Sequence, residues 1–118
     1  MENEHNSILI SIKKLLGLTE AYTQFDTDVI MHINTVFMVL NQLGVGPTEG
    51  FKISNAETTW DDYLKSDTDL EAVKTFMYLN VKLYFDPPQS STLMDSINRQ
   101  IEMLSFRLNV NADKGEGV

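Results

Sequence analysis

The sequence predicts an all-α fold, a small antiparallel bundle of about five helices with one irregular or extended arm. Three observations predict it. Apolar residues recur at three- and four-residue intervals along most of the 118-residue chain. Glycine and proline punctuate those runs where a helix would have to stop. Strand-like alternation occurs only around Phe51 and Ile53.

The first helix is expected from about Ser7 to Leu16. Asn6 or Ser7 can cap it, and Ile8, Leu9, Ile12, Leu15 and Leu16 form one stripe. Gly17 stands where a left-handed C-cap is wanted, with Leu18 as its hydrophobic contact. The second helix is expected from about Asp26 to Leu43, capped by Asp26 or Thr27. Its stripe is Val29, Ile30, Ile33, Val36, Phe37 and Leu40, and Gly44 ends it. Between about 45 and 57 the residues Gly46, Pro47 and Gly50 forbid a helix, leaving an arm in which Phe51 and Ile53 alternate with Lys52 and Ser54.

A short helix is predicted over about Thr59 to Leu64, with Trp60 stapling it to the bundle. The next helix is expected at a capping box, Thr68-x-x-Glu71. It has two apolar faces, Leu70, Val73, Met77, Val81 and Tyr84 on one, Ala72, Phe76, Leu79 and Leu83 on the other. A helix apolar on two sides belongs between neighbours. Asp86, Pro87 and Pro88 form a structural corner that stops it, because proline lacks the donor and disfavours helical geometry before it. The last helix is expected from about Ser91 to Leu108 on a stripe of Leu93, Ile97, Ile101, Leu104 and Leu108. Residues 1–110 form one domain; 111–118, charged and Gly-rich, are expected to be a flexible tail.

Composition narrows the function classes. A mass of 13.4 kDa allows one core with little surplus stability. There is no cysteine, which excludes disulfides, thiolate nucleophiles and thiolate metal sites. The net charge of −8 has the wrong sign for gripping phosphates, although an acidic wall can surround DNA without holding it. No stretch approaches the roughly 20 apolar residues that span a bilayer, so no membrane partner is expected. The opening MENEHNS is polar and acidic, unlike a signal or transit peptide, and points to assembly in a cytoplasm.

No catalytic, cofactor or metal site is expected. His5 and His32 are the only histidines and lack a second ligand at helical spacing. Asp26/Asp28, Asp61/Asp62 and Asp67/Asp69/Glu71 sit near predicted helix starts, where carboxylates cap free N–H groups and oppose the dipole. No nucleophile elbow, phosphate loop or dinucleotide fingerprint occurs. Lys13 and Lys14 read as a lone basic pair on a solvated face.

Some apolar residues fall on the wrong faces for a monomer. Met31 and Met38 lie opposite the second helix's stripe, Met103 and Phe106 lie off the last one, and Phe51 and Ile53 lie on the arm. Three such sets on a small domain are candidate contacts with neighbouring copies or partners.

The ordered segments also resemble a known family. ILISIKKLLGL and FDTDVIMHINTVFMVLNQLGVG look like an opening helix pair, FKI and TTWDDYL like the middle, and LEAVKTFMYLNVKLYFDPPQSS with IEMLSFRLNV like the closing hairpin. Together they resemble head–tail connector, or head-completion, proteins of long-tailed phages of Gram-positive bacteria. The sequence departs from that pattern at Leu104-Ser105-Phe106, where an acidic residue and usually a tryptophan are expected before the arginine.

The resemblance implies a structural virion protein, not an enzyme. It implies a ring, expected to be dodecameric, at the head–tail junction beneath the portal protein. The ring would extend the DNA channel, complete the head after packaging and dock the next head-completion or tail protein. DNA would pass without specific binding, and no cofactor is implied. Two other readings stay open: another tail or virion ring component, which would usually carry more strand, and a non-viral helical protein–protein interaction adaptor, which would form small complexes.

Overall fold

The computed structural model describes residues 6–64 and 67–116. Among the described residues five helices are named α1 (Ile8–Leu15), α2 (Asp26–Gln42), α3 (Trp60–Tyr63), α4 (Asp67–Phe85) and α5 (Ser91–Glu116). The all-α expectation holds. Among the described residues the one β-type pairing is an isolated antiparallel bridge between Ser7 and Thr59. His5 lies outside the described residues.

Local signals end the helices as their chemistry requires. The Ser7 hydroxyl accepts from the Ile10 N–H and caps α1. Gly17 takes φ 86° after it, and the Leu18 N–H closes back onto the Lys13 carbonyl at 2.9 Å. Thr59 and Asp62 form a capping box at the start of α3, whereas the side chain of Thr68, expected to cap the next helix, lies outside the described residues. Asp26 does not cap α2; Phe25 holds the cap position without a side-chain bond.

α4 packs between α2 and α5, as its two apolar faces foretell. Val73, Met77 and Val81 on one side and Phe76 and Leu79 on the other are buried. α1 lies against α2 and α4 and contributes Ile8, Leu9 and Ile12. Trp60 is fully buried, and its indole N–H donates to the Ser11 hydroxyl at 2.9 Å, so the short α3 is indeed stapled to α1.

Asp86, Pro87 and Pro88 lie between α4 and α5. The Asp86 N–H bonds the Lys82 carbonyl at 2.9 Å, its carboxylate pairs with the Lys82 ammonium at 3.0 Å, and the Ser90 hydroxyl accepts from Leu93 N–H to open α5. Replacing both Pro87 and Pro88 with alanine is expected to cost about 1–2 kcal/mol, because proline narrows the unfolded ensemble at positions it fits. Thermal denaturation followed by circular dichroism would show this as a drop of several degrees, and an unchanged midpoint would remove the corner's structural role.

Further sequence expectations are corrected. Lys13 is not solvated but buried, beside Asp26. Leu15 and Leu93, assigned to core stripes, are 54% and 57% exposed, since each sits at a helix end where packing partners run out. α5 does not stop near Leu108. It continues through Asn111, whose amide donates to the Asp69 carboxylate at 3.0 Å, and on to Glu116, because the segment carries no proline and still has α4 beside it. The arm is irregular, as expected, and Asn34 of α2 holds it with a two-way bond, accepting from the Ile53 N–H at 2.8 Å and donating to the Ile53 carbonyl at 3.0 Å.

Gly46 brings the arm's backbone against the Tyr63 ring. It has φ 84°, and a Cβ there would stand 2.5 Å from the Tyr63 ring. Gly46→Ala combines left-handed strain with overpacking, for an expected loss of about 3 kcal/mol. A midpoint lowered by less than about 3 °C in thermal melting would contradict that contact.

Candidate functional site

Among the described residues no group of three or more His, Asp or Glu side chains converges as a metal site would require. Tyr63 is buried, with burial pushing its phenol well above the usual tyrosine range, so it is a neutral core group and not an acid or base. Its hydroxyl lies 3.4 Å from the Val45 carbonyl. His32 stacks at 5.6 Å on Tyr84 rather than facing a carboxylate cluster. Among the described residues the surface offers shape and apolar area.

The six candidate contact residues separate into three outcomes. Met31 and Met38 are 58% and 65% exposed on α2, and Met103 and Phe106 are 61% and 73% exposed on α5. Ile53 is corrected: it is 2% exposed and part of the core, because the Asn34 clamp turns it inward. Phe51 is half-buried, edge-on to Phe37 and Tyr63 at 5.1 Å from each ring. It still reaches the surface, where it lines a shallow groove of about 400 Å³ together with Met38 and Lys52. Folding therefore joins two sets that were separate in the sequence.

α5 carries the second surface. Met103, Phe106, Arg107 and Val110 follow i, i+3, i+4, i+7 spacing and line one shallow face with Asn111. Glu102, exposed one residue before the stripe, gives it an acidic flank opposite Arg107. α4 packs between α2 and α5, so the two helices that carry exposed methionines flank it on either side.

A third surface was not read from the sequence. At the end of α1 an open groove of about 670 Å³ is lined by Ile10, Leu15, Gly17 and Leu18 together with Lys14 and Glu20. Lys13 makes it. The buried ammonium lies 2.8 Å from Asp26 Oδ1 and donates to the Glu20 carbonyl at 3.1 Å, tying the loop after α1 to the start of α2. The available signal was the pair Leu15-Leu16 before Gly17. Leu15 is the last residue of α1, where packing partners run out and one of the two leucines is left exposed.

Among the described residues, no helix is long and apolar enough to cross a membrane. A family model described as phage connector protein matches residues 8–115. No curated protein and no solved structure matches the chain.

Proposed function

Because the chain belongs to the phage connector protein family, a class of structural virion components of the head–tail junction, we propose that it forms a closed, dodecameric ring beneath the portal protein. The ring extends the DNA channel, completes the head after packaging and presents the surface on which the next head-completion or tail protein docks. We read it as structural, without catalysis, assembled in the host cytoplasm before it joins the virion.

The observation that carries this reading, beside the family match, is the placement of large apolar side chains on separate helices of a small domain. Met38, Met103 and Phe106 are each more than half exposed, on α2 and α5. A ring is a heterologous assembly and needs two different complementary surfaces on every copy. Single exposed apolar residues are ordinary, but two stripes on two outer helices supply what such a ring requires. The acidic chain, with net charge −8, suits a channel through which DNA slides without sticking.

Electron microscopy of a lysate from the parent phage with a stop codon at Trp60 tests the reading. Separate tails beside tailless heads are expected. Normal tailed particles would overturn it.

A further inference from the structure

We propose that the Met103–Phe106 stripe of one copy seats in the α1 groove of a second copy, so that one repeated head-to-tail contact closes the ring. The inference rests on the connector reading and names the partner surface within it.

Size comes first. Phe106 is the most exposed large apolar side chain among the described residues, at 73%. An apolar cavity of roughly 150 Å³ holds a benzene ring, so a groove of about 670 Å³ has room for the Phe106 ring and the Met103 thioether together. Methionine adapts its shape to an irregular wall, which suits it to the edge of such a seat.

Charge complements the seat. Arg107 on the stripe is opposite in sign to Glu20 of the groove, and Glu102 beside the stripe is opposite in sign to Lys14.

The Met38 groove is the weaker seat. It is smaller, about 400 Å³, and Met38 itself stands in its wall as an exposed knob. α1 packs on α2 and α4, whereas α5 packs on α4, so knob and groove belong to different helices and one copy offers both at once. That is the requirement of a head-to-tail contact.

The chain has no cysteine, so introduced ones report alone. Two double variants, Thr19→Cys with Met103→Cys and Glu20→Cys with Arg107→Cys, would be placed in the parent phage. Purified particles would then be treated with a short bismaleimide and resolved on a denaturing gel. A ladder of covalent trimers and higher multimers is expected from the double variants, and nothing beyond dimers from any single-cysteine variant. Tailed particles that contain the protein yet yield no species beyond dimer from either double variant would overturn the contact while leaving the connector reading intact. Wild-type particles that lack the protein altogether would overturn the connector reading itself.

Discussion

Phe106→Asp is expected to abolish tail attachment while leaving the monomer folded. Phe106 is 73% exposed, so its removal takes nothing from the core, and surface substitutions of this kind usually change stability by no more than about 0.5 kcal/mol. At an interface the same change is severe. The apolar ring is lost and a carboxylate is forced into an apolar seat, at a cost of about 3 kcal/mol or more per contact. Each 1.4 kcal/mol is about tenfold in affinity, so a single contact weakens by about two orders of magnitude. In the proposed ring the loss repeats at every joint. The expected readouts are a melting midpoint within about 2 °C of the parent protein and an infectious titre reduced at least about a hundredfold. A normal titre would remove Phe106 from the assembly surface. A collapsed midpoint would show that the residue supports the monomer instead.

The largest expected loss of stability comes from Asp26→Ala. Lys13 is 2% exposed, and its ammonium has two polar partners, the Asp26 carboxylate at 2.8 Å and the Glu20 carbonyl at 3.1 Å. Removing the carboxylate leaves a buried cation held by one carbonyl. Breaking a buried pair in this way costs about 3–5 kcal/mol, a large share of the roughly 5–15 kcal/mol that holds a domain together. For a chain of this size that is a fall of about 10–20 °C in the melting midpoint. Adding Lys13→Met to Asp26→Ala should recover most of the loss, because a buried pair replaced by apolar groups is often neutral in net energy. A midpoint for Asp26→Ala within about 3 °C of the parent would mean that water reaches the ammonium. The same pair holds the loop that edges the α1 groove, so the double variant also separates stability from assembly: it should fold, and its groove should lose the Glu20 tether.

Much of the fold was legible because its signals are local. Ser7, Gly17, Gly44 and the Pro87-Pro88 corner each act on backbone groups within a few residues, and α1, α2 and α4 end beside them. The two-faced pattern of α4 foretold its place between α2 and α5, since a helix with two apolar faces needs two neighbours. Met31, Met38, Met103 and Phe106 were recognisable as surface residues by the same periodicity, and all four are exposed. The candidate surfaces were less legible. Ile53 looked like Phe51 in the sequence, yet Asn34, 19 residues away, turns it into the core.

What the sequence determined by itself was therefore the set of helices, most of their ends, the central position of α4 and the faces left outside the core. These follow from side-chain periodicity and from backbone chemistry that acts over one or two turns. Tertiary structure alone decided the burial of Lys13, the inward turn of Ile53, the run of α5 to Glu116 and the groove beside Leu15. Each of these depends on a partner far along the chain or on where packing runs out at a helix end. A charge such as Lys13 enters the core only when folding brings a carboxylate to meet it, because its desolvation is otherwise unfavourable, and that meeting is a property of the fold and not of the segment.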